Sequence, residues 1–132
     1  MLEIFSNTNN KILNIGGKYM SKFISLSKES FQSEVIESKG LVFVDFHTKG
    51  CGPCGLIPPI MKKLKETYGD RLKVCEYDVK LDDLIAKSDD VVEKYKVYGF
   101  PNIIIFKNGE IKENILGMYE IQDFIDAIER SL

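Results

Sequence analysis

An α/β fold is predicted for most of this chain, because strand-like and helix-like apolar patterns alternate from Lys22 to Leu132. The strongest strand signal is Leu41-Val42-Phe43-Val44-Asp45-Phe46, apolar at nearly every residue, as in a strand covered on both faces. The strongest helix signal is the C-terminal run, where Ile121, Phe124, Ile125 and Ile128 recur at helical spacing. Asn108-Gly109, between two strand-like segments, is the sequence of a two-residue hairpin turn.

The remaining elements follow in order. Lys22 to Leu26 reads as a short strand. Ser27 stands where it would cap a helix reaching Glu37, with Phe31, Val35 and Ile36 on its buried face and Gly40 ending it. Leu41 to His47 is the central strand. After Cys51, a helix places Ile57, Ile60, Met61, Leu64 and Tyr68 inward and Lys62, Lys63 and Glu66 toward water. Leu72 to Val79 is the next strand, followed by a polar connection and a helix over Asp89 to Lys96. Asn102 to Lys107 and Glu110 to Leu116 form the hairpin arms. Residues 1–19 are Asn-rich, contain Gly16-Gly17, and lack the early positive charge and continuous apolar stretch of a secretory signal. They read as a loosely held extension, with the folded domain over residues 20–132.

Bulk properties exclude several functional classes. A length of 132 residues with 44% apolar content suits a single core. A net charge of −2 without long single-sign runs gives no nucleic-acid footprint. No segment approaches the roughly 20 apolar residues of a membrane span. Three cysteines, an odd number, fit a reducing cytoplasm better than a secreted disulfide framework.

The chemistry is carried by Cys51-Gly52-Pro53-Cys54, set between the buried strand and the helix. Two cysteines at this spacing can close a small disulfide ring and open it again. At a strand-to-helix junction the first sulfur meets the positive end of the helix dipole, which favours its thiolate. Disulfide exchange requires such a thiolate to attack and a second thiol to resolve the mixed disulfide. Cys51 is therefore the expected attacker. Cys54, one turn into the helix and more buried, is the expected resolver. Gly52 lets backbone approach the substrate, and Pro53 restricts the loop. The competing reading, half of a zinc site, needs four ligands. Only Cys75 and His47 remain in the soft-ligand set, and there is no second closely spaced pair, so no metal is expected. Asp45 is the second signal: a carboxylate inside an apolar strand is costly unless partnered or neutral, so burial should raise its pKa.

Val44-Asp45-Phe46, Cys51-Gly52-Pro53-Cys54, Pro59, Gly99-Phe100-Pro101, Phe106-Lys107-Asn108-Gly109-Glu110 and Gly117 together, in this order and spacing, resemble the thioredoxins. The resemblance covers about Lys22 to Leu132. It implies a thioredoxin fold, a central mixed β-sheet flanked by helices on both faces. It implies reduction of protein disulfides through the Cys51–Cys54 pair, with no other cofactor, in electron transport and cell redox homeostasis. It also implies recharging by a thioredoxin reductase or similar donor, and a monomer without nucleic-acid or membrane partners. By the same resemblance Asp45 exchanges a proton with Cys54 through water, and Phe100-Pro101 is a cis peptide. Gly50, Gly99, Phe100, Pro101 and Gly117 then line the substrate groove.

The chain departs from the family at several positions. Gly50 stands where thioredoxins present a tryptophan, Gly55 replaces a lysine, and His47-Thr48 replaces Trp-Ala. His47 reads as a satisfied structural histidine. Glu76 stands where a lysine usually neighbours the buried aspartate, so it is expected to raise the Asp45 pKa further unless it turns away or Lys80 compensates. Cys75 reads as a buried free thiol. Two alternatives stay open: a dedicated electron donor to one redox partner, and a non-enzymatic binding module.

Overall fold

The computed structural model describes residues 23–132; the expected 1–19 extension and Lys22 lie outside the described residues. Five strands, β1 (Ile24–Leu26), β2 (Leu41–His47), β3 (Leu72–Asp78), β4 (Asn102–Lys107) and β5 (Glu110–Leu116), form one sheet in the order β1-β3-β2-β4-β5. β1 and β2 run parallel to β3, whereas β4 runs antiparallel to both β2 and β5. The sheet is therefore mixed, as expected. The helices are α1 (Ile57–Tyr68), α2 (Leu81–Ala86), α3 (Asp90–Tyr95) and α4 (Ile121–Ser131).

The unbroken apolar run of β2 is explained by its two covered faces. Val42, Val44 and Phe46 pack with Phe31, Val35, Val91 and Val92 on one side. Leu41 and Phe43 pack with Ile57, Met61, Leu64, Phe124 and Ile128 from α1 and α4 on the other. Because strand side chains alternate, Asp45 belongs to the second face, the one covered by the helix that follows the cysteines.

Two local expectations are corrected. The helix expected over Ser27 to Glu37 contracts to a π-type turn, Gln32–Ile36. Ser27 caps the segment as expected, and the turn widens at its end, where Glu37 N donates to the Gln32 carbonyl at 2.9 Å. Ser27 and Ser30 accept from each other's backbone N–H at 3.2 and 2.9 Å, and the Ser33 hydroxyl donates to the Ser30 carbonyl. Phe31 and Val35 are nevertheless buried as the periodicity required, with the Phe31 ring against Phe46, Tyr77, Tyr95 and Phe106. The second correction is α2, which lies in the segment read as a polar connection. None of its residues is fully buried, and Leu81 and Ile85 face solvent. Only Leu84 rests, partly buried, on the core, too little for a periodic signal.

α3 starts one residue later than expected because Asp89 is its cap. The Asp89 carboxylate accepts from Val91 N at 2.9 Å and Val92 N at 3.2 Å, and its other oxygen accepts from the Tyr77 hydroxyl at 2.6 Å. Asp89→Ala should lower stability by about 2–4 kcal/mol, combining a lost cap with a buried hydroxyl left unpaired. Urea denaturation monitored by tyrosine fluorescence checks this.

The β4–β5 turn is the hairpin that the sequence indicates. Asn108 and Gly109 both have positive φ, 50° and 85°, which is a type I′ turn. Asn108 also fixes the turn to the chain before β2, its Oδ1 accepting from Gly40 N at 2.8 Å. A Cβ on Gly109 would stand 2.5 Å from the Ile36 carbonyl oxygen. Gly109→Ala should therefore cost about 2 kcal/mol or more, from the left-handed backbone and the clash together. A drop in thermal midpoint with disulfide reduction per folded molecule unchanged is the expected result.

Candidate active site

The loop that carries the cysteines leaves a fixed point. The His47 carbonyl accepts from Val79 N at 2.7 Å, and the Thr48 hydroxyl donates to the Val79 carbonyl at 2.8 Å. These bonds pin the end of β2 to the chain leaving β3. The loop then turns through Gly50, at φ 83°, and Cys51 N donates to the Thr48 carbonyl at 3.4 Å. Pro53–Leu56 is one turn of 3₁₀ helix that runs directly into α1. Proline is tolerated in such a first turn because its missing N–H would have no intrahelical partner there.

Cys51 and Cys54 are joined as a disulfide, with Cα atoms 5.4 Å apart. Cys51 is half-buried, whereas Cys54 is 8% exposed. The third cysteine, Cys75, is free and fully buried on the sheet face opposite Asp45. Burial pushes its thiol up to about 12, so it stays protonated and unreactive at physiological pH. Among the described residues no group of three or more His, Cys, Asp or Glu is placed to hold a metal ion.

Asp45 is 1% exposed. Its Oδ1 is buried with no hydrogen-bond partner in the protein, and its Oδ2 lies 3.5 Å from His47 Nδ1. Burial raises the Asp45 pKa, and the adjacent imidazole partly holds it back. His47 is raised in turn, chiefly by the Asp45 carboxylate, with Asp78 and Glu76 adding to the effect and burial opposing it. Its Nε2 lies 3.8 Å from Asp78 Oδ1.

Glu76 is the register partner of Asp45 across β2 and β3. Its carboxylate reaches the other way, accepting from the Ser25 hydroxyl of β1 at 3.2 Å. Burial, and not Glu76, is what raises Asp45. Lys80 does not compensate at this point, because its ammonium pairs with Asp78 at 2.9 Å. The ionisable base beside Asp45 is thus the histidine that the sequence assigned to a structural role. The available signal was the i, i+2 spacing of Asp45 and His47, which places two strand residues on one face.

The residues expected to line the groove converge at one end of the sheet. Asn102, at the start of β4, pairs with Phe46 near the end of β2, so Pro101 and the cysteine loop lie at the same end. The Phe100–Pro101 peptide is cis. Gly117 N donates to the Pro101 carbonyl at 2.9 Å, and a Cβ on Gly99 would stand 3.0 Å from Leu116 Cδ1. Gly99, Pro101 and Gly117 are therefore brought together, with Phe100 half-buried beside them. At Gly50, Gly52 and Gly55 an added Cβ would meet no atom within 4 Å, which leaves the surface around the cysteines bare.

The thioredoxin family model matches residues 22–130. A thioredoxin of Pseudomonas aeruginosa is 31% identical over 107 residues, covering 79% of this chain and 94% of its own length. A thioredoxin of Rickettsia typhi is 33% identical over 103 residues, 78% of this chain and 92% of the relative. The chloroplastic thioredoxin X of Arabidopsis thaliana is 33% identical over 112 residues, covering 81% of this chain and 58% of the plant protein. No helix among the described residues is long and apolar enough to cross a membrane. A closely spaced cysteine pair closed as a disulfide, on a mixed sheet matched along nearly its whole length, makes this a protein thiol–disulfide oxidoreductase whose redox group is its own Cys51–Cys54 pair, and the chain belongs to the thioredoxin family.

Proposed function

We propose that the protein acts in the cytoplasm as a monomeric reductase of protein disulfides, recharged by a thioredoxin reductase or a similar donor. The observation that carries the assignment of roles is the unequal exposure of the two cysteines, with Cys51 accessible and Cys54 buried. In the reduced protein the Cys51 thiolate attacks one sulfur of a substrate disulfide. A Cys51–substrate disulfide forms and one substrate thiolate leaves. Asp45 then accepts the Cys54 proton, through water, and the Cys54 thiolate attacks the Cys51 sulfur. The second substrate thiolate leaves, and Cys51–Cys54 closes. Two electrons have passed to the substrate, and the protein is left oxidised.

The raised pKa of Asp45 supports its part in this sequence. A carboxylate with an ordinary pKa is too weak a base for a thiol, whereas one destabilised by burial takes the proton more readily. Gly50, Gly52, Pro53, Gly99, Phe100, Pro101 and Gly117 provide the loop and groove along which an extended substrate lies. The bare surface at Gly50 and Gly55 favours a second reading, in which the same chemistry serves a single dedicated partner.

NADPH oxidation in the presence of thioredoxin reductase and insulin tests the proposal. Turnover that depends on this protein and is lost in Cys51→Ser supports general disulfide reduction. Reduction by a chemical dithiol without reductase-coupled turnover restricts the donor and favours the dedicated role. A cellular function that survives loss of both cysteines would establish the binding module instead.

A further inference from the structure

The His47 side chain joins the buried carboxylate to the surface. It is 27% exposed where Asp45 is 2% exposed, yet its Nδ1 is 3.5 Å from Asp45 Oδ2. Its outer edge lines a cavity of about 260 Å³ together with Ser25, Leu26, Thr48, Lys49, Glu76 and Asp78. We propose that His47 is the proton relay between Asp45 and solvent, doing by titration what no fixed cation at this site could do. This rests on the assignment of Asp45 as the proton acceptor for Cys54.

The step is a pure proton transfer. When Cys54 is deprotonated for resolution, Asp45 takes its proton and passes it to neutral His47, and the imidazolium releases it into the cavity. When the disulfide is reduced again, one proton returns by the reverse route, and no electrons move through His47. The charged groups facing the imidazole, among the described residues, are Asp45 from β2, Glu76 and Asp78 from β3, and Lys49 from the cysteine loop. Lys80 pairs with Asp78 through the other carboxylate oxygen, and β1 contributes only the neutral Ser25 hydroxyl. Three carboxylates against the two ammoniums of Lys49 and Lys80 leave the surroundings anionic by one charge when Asp45 is ionised. They favour the imidazolium, consistent with the upward direction of the His47 pKa. An imidazole held between two carboxylates can carry a proton from the inner one to the outer edge without a change of fold.

His47 is a positioning residue, since it acts through Asp45 and not on sulfur, and its test must separate relay from structure. The chain has a single histidine, so its imidazole proton resonance is unambiguous and reports its titration directly. The expected result is a titration above 6.5 in the intact protein, moving down in Asp45→Asn and, less, in Asp78→Asn. In single-turnover resolution of a Cys51 mixed disulfide, His47→Gln should slow release by about tenfold at neutral pH and remove one inflection from the pH–rate profile. Added imidazole, entering the cavity, should restore part of the rate. The Asp45→Asn/His47→Gln double variant should be no slower than Asp45→Asn alone.

A His47→Gln profile superimposed on that of the intact protein, with Asp45→Asn slow, overturns the relay and leaves the Asp45 assignment standing. Resolution unaffected in Asp45→Asn removes the assignment itself. If His47→Gln proves too unstable to assay, Asp78→Asn decides. A shift of the rate inflection that follows the shift of the His47 resonance supports the relay, and an unmoved inflection overturns it.

Discussion

Cys51→Ser is expected to abolish insulin reduction, a loss of at least about 10³-fold, because the thiol that remains in the pair, Cys54, is buried away from the substrate and has no partner to resolve with. Cys75 cannot substitute, since it is fully buried with its thiol held up to about 12. Cys54→Ser is expected to fail differently. Attack by Cys51 still proceeds, but resolution does not, so a mixed disulfide with substrate accumulates. Non-reducing gel electrophoresis with mass spectrometry distinguishes the two variants. Accumulation in Cys51→Ser and none in Cys54→Ser would reverse the assigned roles.

The second large effect is expected at Asp45, where rate and stability should move in opposite directions. Asp45→Asn keeps the shape of the side chain and removes the base, so resolution should slow by about 10²-fold. The same variant should be more stable above neutral pH. The folded-state pKa of Asp45 lies above its ordinary value of 3.8, so ionising it costs more in the folded chain than in the unfolded one. This penalty is absent below the unfolded value and grows as pH rises until the folded value is passed. His47 works the other way. Its folded-state pKa is raised above 6.5, so it contributes stability that is complete below that value and lost as pH rises through the folded one. The gain from Asp45→Asn should therefore be near zero at strongly acid pH, partly masked while His47 is protonated, and roughly 1–3 kcal/mol once the imidazole is neutral. Denaturant melts across this pH range measure it. A variant less stable than the intact protein above neutral pH would show that Asp45 is not held ionised against a burial cost.

Most of the architecture was legible because its signals are local. β2 declared itself by an apolar run, α1 and α4 by helical periodicity, and the β4–β5 turn by Asn108-Gly109. The failures were equally physical. The Ser27–Glu37 segment had the right cap and buried residues but widens to a π-type bond at Glu37, which no pattern of side chains announces, and α2 rests only Leu84 on the core, too little for a periodicity to read.

The reactive pair and the buried carboxylate behind it were decided by sequence alone, since thiol spacing and the burial of a strand residue follow from residue type and periodicity. What only the tertiary structure decided is the company Asp45 keeps. Asp45, Glu76 and Ser25 lie on three strands, and whether Glu76 turns to Asp45 or to Ser25 depends on sheet order and rotamer. The sheet order β1-β3-β2 supplied Ser25 as the partner for Glu76, so its carboxylate turned toward β1 and His47 was left as the ionisable neighbour of the buried acid.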